Sequence, residues 1–196
     1  VFCWATLIFT SGINIYILLA IFIAGASLLT YLIIYVPRFD YIQGRIFSFF
    51  NRETGTHNFQ SDKAIESITS GGFFGKGIGE GVLKNRVPEA HTDYIISVIS
   101  EEFGVVAIML ILLLFLILIY MVFKKISFET NDKVKLILIG SVSLILMQAT
   151  IHVGVNIRLF PTTGMTLPFL SYGGSSIIST SILGGIILNL TKRKIT

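Results

Sequence analysis

Phe103-Gly104-Val105-Val106-Ala107-Ile108-Met109-Leu110-Ile111-Leu112-Leu113-Leu114-Phe115-Leu116-Ile117-Leu118-Ile119-Tyr120-Met121-Val122-Phe123 carries no charge and almost no polar atom outside its backbone. The hydrocarbon core of a bilayer is about 30 Å thick, so a helix needs about 20 such residues to cross it. The stretch therefore predicts a transmembrane helix. Residues 15–36, 136–155 and, more weakly, 172–190 repeat the pattern, and 1–10 reads as the tail of another span. Hydrophobic residues make up 53% of the chain, charged residues 13%, and mean hydropathy is +0.81. A soluble domain has a very different mix. The expected fold is all-α: a polytopic integral membrane protein with about four full spans, a partial one, and a large loop at 37–93.

The chain opens inside an apolar run without Met, and no secretory signal is visible. The expectation is that 1–196 is one membrane domain, the C-terminal part of a larger unit. It has no internal repeat or low-complexity tract. Cys3 is the sole cysteine, so no internal disulfide and no metal constellation is expected.

Basic residues orient the spans. Loop 37–93 has seven basic and seven acidic side chains, whereas 124–135 has Lys124, Lys125, Lys133 and Lys135 against Glu129 and Asp132. The tail adds Lys192, Arg193 and Lys194. This places the 124–135 turn and the C-terminus in the cytoplasm and loop 37–93 outside. The basic residues act as a topology signal, and no nucleic-acid partner is expected.

The external loop is too long for a plain connection, which argues for a functional element. At its start Arg38 and Arg45 stand among aromatics. They either bind a lipid phosphate bidentately or anchor the loop at headgroup level. Further on comes Gly71-Gly72-Phe73-Phe74-Gly75-Lys76-Gly77-Ile78-Gly79-Glu80-Gly81. It is no phosphate-binding P-loop, since Ser70 stands at the first glycine position and Gly77 follows Lys76. Glycines at this density permit tight bends and close backbone approach.

Asp93 closes Pro88-Glu89-Ala90-His91-Thr92-Asp93, just before the apolar helix. Thr92 or Asp93 reads as the N-cap of that helix. With the helix running from there, Ser97 and Ser100 fall on the Asp93 face, Glu101 about 80° round and Glu102 opposite. Acids at the edge of a span need water or a partner. Besides capping, the Asp93 carboxylate beside Glu89 and His91 is placed to act as a general base.

A second polar stretch runs from Arg158 to Ser176, with Pro161, Gly164 and Pro168 as breakers and Ser171-Tyr172-Gly173-Gly174-Ser175-Ser176 at the start of a span. Small residues there serve close helix packing or line a cavity at a broken helix; both readings stand.

Four motifs together carry a resemblance: Gly-Gly-Phe-Phe-Gly at 71–75, Pro-Glu-Ala-His-Thr-Asp at 88–93, Glu101-Glu102-Phe103-Gly104, and Leu-Pro-Phe-Leu-Ser-Tyr-Gly-Gly-Ser-Ser at 167–176. With these the chain resembles the SEDS family of bacterial peptidoglycan polymerases, most closely its cell-division branch and secondly its elongation branch. It departs at Thr163, where many division-type members carry Lys. Ala90 stands where elongation-type members often have Arg.

The resemblance implies a fold of about ten transmembrane helices, of which this chain is the C-terminal half. It implies a glycosyltransferase that polymerises lipid II into glycan strands at the outer face of the bacterial cytoplasmic membrane, at the division septum, releasing undecaprenyl pyrophosphate. The essential family aspartate matches Asp93. Glu89, His91, Thr92 and Glu101 would shape the mouth around it. Arg45, Lys84 or Arg86 would meet the pyrophosphate, with Ser171, Gly173 and Ser175 as the opposite wall. A divalent cation, magnesium or manganese, would help neutralise the leaving group, although no metal-ligand spacing marks a site. The implied partners are lipid II, the growing glycan, membrane lipid, a class B penicillin-binding transpeptidase and other divisome proteins. The competing readings are a lipid II flippase and a non-catalytic scaffold. The polar residues gather at one face only, which favours the enzyme.

Overall fold

A computed structural model describes residues 6–8, 10, 12, 14–40, 42–44, 56–87 and 90–192, without the side chains of 38, 56–58, 84 and 85. The described residues are helical or irregular, with no strand among them. Among the described residues six α-helices can be bounded: α1 Ile15–Tyr35, α2 Thr56–Gly71, α3 Leu83–Arg86, α4 Ile95–Phe128, α5 Asp132–Asn156 and α6 Gly174–Thr191. α1, α4, α5 and α6 are each long and apolar enough to cross a membrane, in agreement with the four expected spans. Arg45 and Glu89 lie outside the described residues, as does much of the partial span at 1–10.

α4, α5 and α6 pack through Val122, Leu138, Val142, Ile145 and Ile187, with Phe115 and Leu118 against them. α1 buries none of its residues, and among the described elements it packs against the 3-10 turn Pro37–Phe39 that follows it. Asn14 caps α1 by accepting the Tyr16 N–H, and Asn131 caps α5 through the Lys133 N–H.

Two expectations are corrected. α4 begins at Ile95 with Tyr94 as its N-cap, and the Tyr94 side chain makes no capping bond. Thr92 and Asp93 belong to the turn before the helix, so projecting Asp93 onto the helical wheel does not hold. The apolar run is also not one straight helix. Gly104 has φ 80° and ψ −179°, which splits α4 near its start.

The glycine-rich segment explains the break. In a continuous helix the N–H groups of Val105 and Val106 would bond the carbonyls of Glu101 and Glu102. Here Val105 and Val106 donate to the carbonyls of Gly72 (3.0 Å) and Phe73 (3.4 Å). The freed carbonyls of Glu101 and Glu102 accept from Lys76 (2.9 Å) and Gly77 (3.1 Å). All four groups that the kink leaves open are satisfied again, as a low-dielectric setting demands. The approach is close enough to exclude side chains. A Cβ on Gly71 would stand 2.0 Å from the Ser100 carbonyl oxygen, and one on Gly75 2.2 Å from that of Glu102.

α2, a helix inside the external loop, leads into this splice. Its buried residues Ser61, Ala64, Ser67 and Gly71 are all small and recur every three or four positions. That stripe lets α2 lie close against α4. Ala64 joins Leu83, Val87, Ala90, Tyr94, Val98 and Val155 in a core beneath the loop.

Candidate functional site

The turn preceding α4 is fastened by three consecutive carbonyls. That of His91 accepts the Tyr172 N–H (3.1 Å), that of Thr92 the Ser171 hydroxyl (2.8 Å), and that of Asp93 the Asn156 amide (3.0 Å). Asn156 is fully buried at the end of α5. Its Oδ1 accepts both the N–H and the hydroxyl of Ser97 (3.2 and 2.7 Å), while its Nδ2 also donates to the His152 carbonyl (2.8 Å). One amide thus joins the first turn of α4, the last turn of α5 and the backbone of Asp93.

With its backbone held, the half-buried Asp93 turns its carboxylate towards the 158–173 segment. Oδ2 lies 3.7 Å from where a Cβ on Gly164 would be. Gly164 has φ 68°, a conformation that favours glycine there. The segment is itself tied down. Gln148 donates to the hydroxyls of Thr166 (3.1 Å) and Ser176 (3.2 Å), which are 2.6 Å apart, and the Met165 carbonyl lies 2.7 Å from His152 Nδ1.

Glu101 forms a second bracket. Only 2% exposed, its carboxylate pairs with Lys76 (2.9 Å) through Oε1 and accepts the N–H groups of Val82 and Leu83 (3.0 Å each) through Oε2. It therefore caps α3 and fixes the chain that leads to Asp93. Beside it a polar cavity of about 150 Å³ is lined by Lys63, Ser67, Ser70, Lys76 and Arg86.

The structure brings His91, Thr92, Asp93 and Ser171 together. Ser171 is buried, and its hydroxyl both donates to Thr92 and accepts the Leu167 N–H (2.8 Å), so it serves as a tie. Gly173 packs close to Thr166, and Ser175 is exposed in the first turn of α6. Arg86 and Glu101 belong to the polar cavity; the Lys84 backbone lies beside it in α3. Asn156, Gln148 and Lys76 were not singled out from sequence. For the first two the signal was there: an amide inside or at the end of an apolar run needs a partner. Among the described residues no three His, Cys, Asp or Glu side chains gather to hold a metal ion.

Comparison with known proteins gives this arrangement a family. The FtsW/RodA/SpoVE family, described as cell cycle protein, matches residues 1–195. The chain belongs to that family, the SEDS family its motifs pointed to. A relative from Enterococcus hirae named "Probable peptidoglycan glycosyltransferase FtsW" is 39% identical over 70% of this chain and 35% of its own length. Relatives of the same name from Caulobacter vibrioides and Trichlorobacter lovleyi are 38% and 34% identical. They match 80% and 94% of this chain, and 40% and 49% of their own length. The chain thus spans half or less of the curated relatives it matches. A solved structure described as "Structural coordination of polymerization and crosslinking by a peptidoglycan synthase complex" matches all of this chain and 55% of its own. It aligns with a TM-score of 0.75 at 25% identity.

Proposed function

We propose that the full protein is a peptidoglycan glycosyltransferase that polymerises lipid II at the outer face of the cytoplasmic membrane during cell division. The observation that carries this reading is the Asp93 turn. Three side-chain and backbone donors hold its main chain, and the carboxylate is aimed at the 158–173 segment. A general base needs such a fixed position. Asp93 takes the proton from the acceptor sugar hydroxyl as that oxygen bonds the donor's anomeric carbon. The bond from that carbon to the pyrophosphate breaks, and undecaprenyl pyrophosphate leaves. Arg86, with Lys84 and Arg45, meets the pyrophosphate. His91 and Thr92 shape the mouth, and Glu101 and Ser171 hold it in place. A class B transpeptidase crosslinks the product strand.

The test is glycan-chain formation on labelled lipid II by the full protein with its cognate transpeptidase, comparing wild type and Asp93→Asn. Loss of polymer by at least about 10²-fold, the size of a general-base contribution, with unchanged expression and partner binding, is expected. Unchanged polymerisation would overturn the assignment of Asp93. No polymer from either protein would favour the flippase reading.

A further inference from the structure

The geometry points to a membrane anchor at the tip of the glycine-rich segment: Phe73, Phe74 and Ile78 insert into the leaflet on the Asp93 side of the bilayer. These side chains are 76%, 86% and 79% exposed. Exposure alone would not say what covers them. Their height relative to the span does.

Past the break at Gly104, α4 runs on through residues 105–128, about 36 Å at 1.5 Å per residue, and so exceeds the hydrocarbon thickness. Lys124 and Lys125 mark the headgroup level at its far end, because a lysine charge does not stay in hydrocarbon. Counting back about 20 residues from Lys124, the length that spans the core, reaches Gly104. The near hydrocarbon boundary therefore lies at the break in α4. The tip is bonded to that level: Gly72 and Phe73 receive the N–H groups of Val105 and Val106, and Lys76 and Gly77 donate to Glu101 and Glu102. Two aromatics and an isoleucine held at the boundary continue the exposed apolar surface of Phe103, Val105, Val106 and Met109 into the leaflet.

Composition agrees. Lys76 sits between the Phe pair and Ile78 and sends its ammonium to Glu101, on the polar-cavity side. Apolar rings in the acyl region with a cation at headgroup level is the pattern of interfacial segments. The anchor has a consequence for the site. The tip and the Asp93 turn both hang from the first turns of α4, so seating the tip sets the height of Asp93 above the bilayer. This inference rests on the membrane fold and not on the proposed chemistry.

The test uses the full protein in phospholipid nanodiscs, with native cysteines replaced and a nitroxide on Phe74→Cys. Oxygen, which partitions into hydrocarbon, and a water-soluble nickel chelate serve as relaxing agents. Oxygen is expected to relax the label several-fold more than nickel at position 74, and the reverse is expected for a label on Glu80→Cys. Dominant nickel relaxation at 74 would place the tip in water and overturn the anchor. Exclusion of both agents would show that protein covers it, which overturns it equally. An Ile78→Cys label reads the same tip should the position-74 protein not fold.

Discussion

Arg158 shows at the scale of one residue how this site trades strain for placement. α5 ends in a Schellman motif: the Leu159 N–H bonds the Gly154 carbonyl (2.7 Å) and the Arg158 N–H that of Val155 (3.0 Å). The residue at the left-handed position of such a motif is usually glycine. Here it is Arg158, with φ 58°. A non-glycine residue there is strained by about 1 kcal/mol. Its guanidinium reaches across to Asp62 on α2, a partly exposed surface pair of the kind worth about 0–1 kcal/mol. The two effects nearly cancel, so Arg158→Gly should leave the denaturation midpoint in detergent almost unchanged. In an Asp62→Asn background the pair is already gone, and the same substitution should stabilise by about 1 kcal/mol. A double-mutant cycle on thermal midpoints checks this; equal effects in both backgrounds would show that the ion pair contributes nothing. Sequence showed Arg158 as one residue of a broken stretch, and its backbone conformation was not legible there.

At the scale of elements, the splice between the glycine-rich segment and α4 separates glycines that look alike in sequence. Gly75 and Gly72 both have positive φ, 77° and 58°. A Cβ on Gly75 would stand 2.2–2.6 Å from backbone atoms of Glu102 and Phe103, whereas one on Gly72 would meet nothing within 4 Å. Backbone cannot swing away as a flexible side chain does. Gly75→Ala should therefore expel the segment and reopen four backbone groups, each costing about 1–3 kcal/mol when buried unpaired. Gly72→Ala should cost only the strain of about 1 kcal/mol. Limited proteolysis of reconstituted protein distinguishes them: rapid cleavage within 72–81 is expected for Gly75→Ala and wild-type resistance for Gly72→Ala. Similar cleavage of both would show that conformation, and not contact, sets the effect. Close backbone approach was legible from glycine density. The partner was not, because Gly104 inside an apolar run reads as a tolerated helix residue until another backbone is seen occupying the break.

Over the whole molecule, the four spans were legible because the membrane constraint is one-dimensional: about 20 apolar residues in a row suffice. What holds the site joins residues far apart in sequence, as Asn156 does with Ser97 and Asp93, and no local pattern encodes that. The Asn156 knot, the Glu101 bracket and the Arg158 strap all secure the same piece of chain to one end of the α4–α5 pair. Ties in parallel on one body couple, since releasing the body through one leaves less for the next to hold. Asn156→Leu removes four hydrogen bonds; at about 0.6 kcal/mol each in a membrane protein this amounts to about 2 kcal/mol. Glu101→Gln leaves Lys76, whose side chain is 37% exposed, facing a neutral partner; water screens the lone ammonium, so the loss is about 1–3 kcal/mol. Independent ties would give the double variant the sum of the single losses. The shared load predicts that it falls short of that sum by about 1–2 kcal/mol, within the range of coupling between residues of one network. Denaturation of the two single variants and the double variant under one set of detergent conditions measures the difference. A strictly additive result would mean that the Asp93 turn and the α3 bracket are held separately, and that disturbing Glu101 would leave Asp93 in place.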